Sequence, residues 1–260
     1  MPSDPVVAAR EMERLLRRGP RTTFDPAWFR FGDIVLAPER VRQILLPHVT
    51  ERRLRRIEEI LDHRTYSLAV AVEGMVDSGN VSALMRTAEA FGVQAFHAID
   101  TALSYKHSRR TSQGAEKWLD RYRWASAADC IAFLRESGYR IIAAHLAAGA
   151  TPAAEVAFDE PSVLIFGNEL SGLSADLVEA ADLTMTVPMV GFVQSFNISV
   201  AAGICLYEAR ADRIRRLGRH GDLPEEERER LRAVFMMKSV RHHDLVIERA
   251  LGGAASQGAT

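Results

Sequence analysis

Leu183-Thr184-Met185-Thr186-Val187-Pro188-Met189-Val190-Gly191-Phe192-Val193-Gln194-Ser195-Phe196-Asn197-Ile198-Ser199 is the stretch whose reading decides the fold. Leu183 to Val187 has a strand pattern, Pro188 ends it, and Gly191 bends the chain. A helix restarts at Asn197 with the alanine-rich run Ile198 to Leu206. The turn between is apolar and leaves backbone amides and carbonyls beside one helix start. Buried backbone groups need partners, so such a turn either packs under other protein or lines a ligand site. Taken the second way, it is a cofactor cradle.

Upstream, short apolar strands alternate with helices. The patterning predicts strands at 68–73, 94–99, 140–145 and 162–166, and helices at 80–91, 126–137 and 174–181. Ser126 with Asp129 three residues later forms a capping-box-like pair, and Gly138 stands just past that helix end. Strands of this kind, alternating with helices, build a mostly parallel sheet covered on both faces, so the fold class is α/β.

The chain ends differ from this core. Residues 1 to about 47 mix a helix-like Arg10 to Arg18 with Gly19-Pro20, Asp25-Pro26 and an aromatic cluster of Trp28, Phe29 and Phe31, which reads as an intramolecular anchor. From Glu51 to Leu61, Leu54, Ile57, Ile60 and Leu61 share one helical face and arginines crowd the other. That basic face is either solvated, with pairs such as Arg55 and Glu59, or a phosphate-contacting helix. Beyond about residue 217 the chain turns polar and helical, with Pro224 before Glu225, Glu226 and Glu227 at a helix start. The predicted organisation is an extension and basic helix over 1–66, a catalytic domain over 67–216, and a helical extension and tail over 217–260.

Composition narrows the classes. Of 260 residues, 47% are hydrophobic and 26% charged, and 33 Lys and Arg against 34 Asp and Glu leave a formal net charge of -1. The whole-molecule field therefore does not draw in a polyanion, and nucleic-acid contact must come from local basic patches. Cys130 and Cys205 fall in apolar helical patterns without metal-ligand spacing, so both are expected buried and reduced, which favours the cytoplasm. No apolar run approaches the ~20 residues of a membrane helix, and no signal-peptide core is expected at the N-terminus.

Three constellations carry chemistry. Glu73-Gly74-Met75-Val76-Asp77-Ser78-Gly79-Asn80 leads from a strand into a helix that carries Arg86. The Gly-Lys-Ser/Thr ending of a P-loop is missing, and no G-x-G-x-x-G follows any strand, which disfavours nucleotide and dinucleotide sites. Asn80 alone also fits a helix N-cap, and Arg86, placed with Ser82 and Glu89 opposite Val81, Leu84 and Ala88, also fits a solvated pair with Glu89. Leu164-Ile165-Phe166-Gly167-Asn168-Glu169-Leu170-Ser171-Gly172 releases a carboxylate at the end of a buried strand, where open α/β sheets place ligands. The opening stretch, with Ser195 and Asn197, is the third.

In this order the three resemble the signature motifs of the SPOUT methyltransferase superfamily, specifically its SpoU (TrmH) branch of RNA ribose 2'-O-methyltransferases. The resemblance covers roughly residues 50 to 216 and looks strongest toward the tRNA guanosine-18 enzymes, whose lone catalytic domain carries short helical arms. It implies a sheet with a carboxyl-terminal trefoil knot, a fold that chain-topology rules alone would not predict. It also implies a homodimer, S-adenosylmethionine bent within the knot, and tRNA as substrate, with ribosomal RNA or a non-catalytic RNA-binding relative as alternatives. No metal and no membrane enter.

Carried over by motif, the catalytic set is Asn80, Arg86, Glu169, Ser195 and Asn197, and the cofactor contacts are Ala144, His145, Leu146, Gly167, Val187, Met189 and Phe196. Arg86 is the residue to which family proposals give the proton of the 2'-hydroxyl. A guanidinium normally keeps its own proton, so the expected role is to bind phosphate and ribose and stabilise the alkoxide, with base behaviour only if desolvated. RNA grip is expected from Arg52, Arg53, Arg55 and Arg56, from Lys106, Arg109 and Arg110, and from Arg210 and Arg213 with Arg215, Arg216 and Arg219 beside them.

Overall fold

Hydrophobic runs of five or six residues set between helices do produce a parallel sheet. In the computed structural model residues 26–74, 78–99 and 113–257 are described. The expected helix at Arg10 to Arg18 and the basic residues Lys106, Arg109 and Arg110 lie outside them. Among the described residues the chain divides into two compact units, Thr65–Asp222 and a smaller one drawn from Thr22–Arg64 and Leu223–Thr260.

In the smaller unit a hairpin of β1 (Arg30–Phe31) and β2 (Ile34–Val35) precedes α1 (Pro38–Leu45) and α2 (Glu51–Leu61), and α7 (Glu225–Ser239) and α8 (His243–Gln257) complete it. Thr50 caps α2 by accepting the Arg53 N–H at 3.3 Å. Ile57 and Leu61 are buried and Leu54 and Ile60 half-buried, while Arg52, Arg53, Arg55 and Arg56 are exposed, as the spacing predicts. Glu59 pairs with Arg56 at 3.1 Å instead of with Arg55; positions three apart are neighbours on a helix as positions four apart are.

Glu58, on the flank of α2, receives Arg232 at 2.6 Å and Arg228 at 2.9 Å from α7, and the hydrogen bond from Arg232 leads in holding its carboxyl below the usual range. The three glutamates at the start of α7 follow Pro224 and complement the helix dipole. Phe29 and Phe31 are buried, and Lys238 Nζ lies 4.9 Å from the Trp28 ring centroid, so the aromatic cluster is held within the chain itself.

The larger unit holds a seven-stranded sheet of β3 (Leu68–Glu73), β4 (Ala95–Ile99), β5 (Asp120–Trp124), β6 (Arg140–Ala144), β7 (Thr151–Pro152), β8 (Ser162–Phe166) and β9 (Leu183–Thr186). Their order is β5-β4-β3-β8-β6-β9-β7 and all pairings are parallel. The helices are α3 (Ser78–Ala90), α4 (Ala127–Glu136), α5 (Ala175–Ala180) and α6 (Ile198–Leu217). β3 shows why both faces are covered. Leu68, Val70 and Val72 join Val81, Leu84 and Ala88 of α3 and Ala202 and Leu206 of α6, while Ala69 and Ala71 join Cys130 and Leu134 of α4 and Leu177 of α5. Cys130 and Cys205 are buried free thiols, and burial pushes Cys205 up to about 12.

Several expectations need correction. β5, with its alternating Asp120-Arg121-Tyr122-Arg123-Trp124, is an edge strand whose charges mask its period-two pattern; Tyr122 and Trp124 face inward. α6 runs on to Leu217, where Gly218 at φ 71° stops it. Ser82 is fully buried instead of lying on the exposed side with Arg86. Arg213, expected to grip RNA, is 1% exposed; its guanidinium donates to Asp222 at 2.6 Å and to the Phe158 and His220 carbonyls. Arg215 and Arg216 are exposed but paired to Asp212, and Arg210 is half-buried. Burial would raise the Asp212 carboxyl, yet the Phe158 N–H and the Arg216 and Arg215 guanidiniums together hold it low. Among the described residues no helix is long and apolar enough to cross a membrane.

Candidate active site

A parallel sheet gathers the carboxyl ends of its strands on one edge, and at that edge a cavity of about 480 Å³ opens. Its walls are the ends of β6, β8 and β9 with the segments that follow them, and the start of α6. Ala144, His145, Leu146, Gly167, Val187, Met189 and Phe196 all line it, as do Glu169, Ser195 and Asn197. The segment after β9 therefore lines a cavity along part of its length and is exposed along the rest. Val187, Met189 and Phe196 face the cavity, while Val190, Phe192 and Val193 at its tip are exposed.

The segment after β8 is knitted by one side chain. Asn168 Oδ1 accepts the Leu170 N–H at 2.7 Å and the Ser171 N–H at 3.2 Å, and its Nδ2 donates to the Gly74 carbonyl at 2.6 Å. Asn168 and Gly172 exchange backbone hydrogen bonds at 3.0 and 2.9 Å, closing the turn. Gly167 is required because the chain folds onto it: an added Cβ would stand 2.3 Å from the Gly172 carbonyl carbon.

From this loop Glu169 meets the first motif. Asn80 Nδ2 donates to Glu169 Oε1 at 2.5 Å, and Asn197 Nδ2 donates to Asn80 Oδ1 at 3.3 Å. The direction of this relay is set at its far end, where Asn197 Oδ1 accepts from both the backbone N–H and the hydroxyl of Ser199, at 2.9 and 2.6 Å. Asn197 thus caps α6 as its position predicts and also joins the network. Asn80 is not a cap, because α3 begins at Ser78 and leaves it inside the first turn. Asn168 and Ser199 are the network members the motif reading passed over; the one signal in sequence is that a short amide or hydroxyl side chain stands where a turn meets a helix.

Arg86 is exposed and does not line the cavity. Six residues past Asn80, it sits ~9 Å farther along the α3 axis. The single chain brings Asn80, Glu169, Ser195 and Asn197 together and leaves Arg86 apart. The arginines of α2 belong to the smaller unit.

The wall chemistry discriminates among ligands. Among the described residues no Lys or Arg lines the cavity; Glu169, His145 and the buried Cys205 thiol are the titratable side chains there, set among largely apolar groups with a few amides and hydroxyls. A di- or triphosphate would find no counter-charge, whereas a cation on an apolar molecule would. Among the described residues no cluster of three or more His, Cys, Asp or Glu side chains is placed to hold a metal ion.

Residues 67–207 match the SpoU rRNA Methylase family. The chain is 36% identical over 166 residues to the tRNA (guanosine(18)-2'-O)-methyltransferase of Thermus thermophilus, covering 64% of this chain and 86% of that protein. It is similar in structure to the TrmH/SpoU tRNA modifying enzyme of A. aeolicus, with a TM-score of 0.66 at 32% identity over 74% of this chain and 98% of that one. An AdoMet-bound rRNA methyltransferase from Sinorhizobium meliloti aligns at a TM-score of 0.51 and 29% identity, over 58% of this chain and 59% of that one. The family match takes in the three segments that meet at the cavity and runs over more than half of the 260 residues, so the chain belongs to the SpoU rRNA Methylase family.

Proposed function

We propose that the chain transfers a methyl group from S-adenosylmethionine to a ribose 2'-hydroxyl of tRNA, at guanosine 18 of the D-loop. The observation that carries this reading is the cavity: the second and third motifs and the end of β6 line it, its walls are largely apolar with one carboxylate and, among the described residues, no Lys or Arg, and Asn80 of the first motif joins an amide relay that fixes that carboxylate. Such walls suit a sulfonium compound. When bound, S-adenosylmethionine supplies an electrophilic methyl on a cationic sulfur.

The chain's own residues do the rest. Ala144, His145, Leu146, Gly167, Val187, Met189 and Phe196 hold the donor and exclude water, and in a dry site alignment accounts for much of the rate. Asn80 and Asn197 orient Glu169 and shape the wall with Ser195. Arg86 binds phosphate and ribose and stabilises the developing alkoxide. Around Arg86 the single chain provides no desolvation, and a second copy of the chain is what would enclose it. The exposed tip of Val190, Phe192 and Val193 supports a homodimer for the same reason: among the described residues of the larger unit nothing covers these large apolar side chains.

The reading includes a trefoil knot, supported by β9 inserting between β6 and β7, both earlier in the chain. It makes 67–216 the catalytic domain and 1–66 and 217–260 the flanking arms of a cytoplasmic enzyme. RNA contacts fall to the exposed Arg52, Arg53, Arg55 and Arg56, with Lys106, Arg109 and Arg110. The Sinorhizobium meliloti relative favours ribosomal RNA as the second reading.

Calorimetry with S-adenosylmethionine tests the cavity, and tritiated methyl transfer to unmodified tRNA and to ribosomal RNA tests the substrate. Binding with label mapped to the 2'-oxygen of guanosine 18 is the expected result. Label confined to ribosomal RNA selects the second reading, and absence of both binding and label overturns the proposal.

A further inference from the structure

Glu73 ends β3 at the carboxyl edge of the sheet, half-buried, and both of its carboxylate oxygens are taken by one residue. Its Oε2 accepts the Ser174 backbone N–H at 2.7 Å and its Oε1 accepts the Ser174 hydroxyl at 2.7 Å. The Ser174 oxygen in turn accepts the Leu177 N–H at 3.4 Å as the N-cap of α5. The next residue, Gly74, accepts Asn168 Nδ2 through its carbonyl. The end of β3 therefore grips the 167–174 segment at both extremities, Asn168 at one and Ser174 at the other. Between these points lie Glu169, Leu170, Ser171 and Gly172, all cavity-lining, with Gly167 just before them.

We infer that Glu73 is a positioning residue: its two hydrogen bonds to Ser174 hold the 167–174 segment closed, so that the backbone of Gly167 to Gly172 forms the cavity wall before the cofactor arrives and Glu169 projects toward Asn80. Glu73 itself lines no part of the cavity and acts only through Ser174. The inference rests on the reading of the cavity as the S-adenosylmethionine site. A segment of eight residues with one end released samples open forms, and apparent affinity falls in proportion to the fraction that remains closed. Both hydrogen bonds hold the same end of the segment, so losing the two at once is enough to make the open form dominant.

The test compares Glu73→Ala, Glu73→Gln and Ser174→Ala with the wild type by calorimetry with S-adenosylmethionine, alongside thermal melting and the KM for the donor. Glu73→Ala is expected to weaken binding about tenfold or more, with a parallel rise in KM. Glu73→Gln should restore binding to within about threefold, because its amide oxygen accepts the Ser174 N–H and its amide nitrogen donates to the Ser174 oxygen. Ser174→Ala keeps the backbone bond and should fall between, and it decides the matter if Glu73→Ala does not fold. Wild-type affinity in Glu73→Ala, or in Ser174→Ala should that variant be the one that decides, overturns the clamp. So does equal loss in Glu73→Ala and Glu73→Gln, which would assign the effect to charge. No binding by the wild type would instead overturn the reading of the cavity.

Discussion

Asn80 donates its side-chain amide to the Glu169 carboxylate at 2.5 Å, across 89 residues of chain. The contact joins the first turn of α3 to the segment after β8, and Asn197 extends it to the start of α6 at 3.3 Å. Three elements that are remote in sequence are tied by two amides, each used as donor on one side and acceptor on the other.

Members of such a network are not independent. In a double-mutant cycle of Asn80→Ala and Glu169→Ala, single-turnover methyl transfer should show a coupling of roughly 0.5–3 kcal/mol between the two positions. Strictly additive losses would mean that the contact has no part in the reaction.

Gly167→Ala should abolish measurable cofactor binding and cost about 1–3 kcal/mol of stability, since its Cβ would stand 2.3 Å from backbone that no rotamer change can move. Gly252→Ala, where nothing lies within 4 Å, should leave both unchanged or stabilise slightly. Urea unfolding and calorimetry on the two variants check this, and equal behaviour would remove the steric argument.

Two arginines of similar sequence context should behave oppositely. Arg213→Ala removes a buried guanidinium from the half-buried Asp222 and from two backbone carbonyls and should cost roughly 3–5 kcal/mol, with no change in the salt dependence of RNA binding beyond loss of folded protein. Arg52→Ala, on the exposed face of α2, should leave stability within about 0.5 kcal/mol and lower the slope of log affinity against log salt by ~0.7–0.9. Titrations between 50 and 200 mM salt on both variants read the difference; the reverse pattern would return Arg213 to the RNA surface.

Stability should rise with pH between about 5 and 6.5. Burial lowers His97 to about 3, and burial leads in lowering His220 to about 4. Both therefore stay neutral when folded at pH values where the unfolded chain, with ordinary imidazoles near 6.5, takes up protons. Their contribution is present above about 6.5 and is lost as pH falls toward the folded values. Glu58 and Asp212, held low, keep their contributions above the ordinary carboxylate range and lose them as pH falls through that range and below it, so they add to the same trend at more acidic pH. A urea midpoint that stays flat from pH 5 to 7 would contradict the buried, neutral state of these imidazoles. His97 is fixed in that state by the Trp124 Nε1–H, which it accepts at 3.1 Å, and by stacking on Tyr122 with centroids 4.4 Å apart.

The features read correctly from sequence are those fixed by neighbours along the chain. Ser126 accepts the Asp129 N–H at the start of α4, Gly138 follows its end at a positive φ, and the apolar stripe of α2 is buried where its spacing puts it. Periodicity and capping act within one or two turns, so residue type and spacing are enough to specify them. β5 escaped because its inward aromatics are interleaved with Arg121 and Arg123 and follow an inward Asp120, and at a sheet edge charge is tolerated where a central strand would exclude it.

The sequence by itself determined the α/β alternation, the three segments that line the cavity and the family to which they belong. Tertiary structure alone decided which side chains meet: Asn80 with Glu169, Glu73 with Ser174, and Arg213 with Asp222 instead of with solvent. The physical reason is one of range. Local hydrogen bonding and hydrophobic period are encoded within a few residues, whereas a side chain's partner depends on strand order, and strand order is fixed only when the two faces of the sheet are buried together.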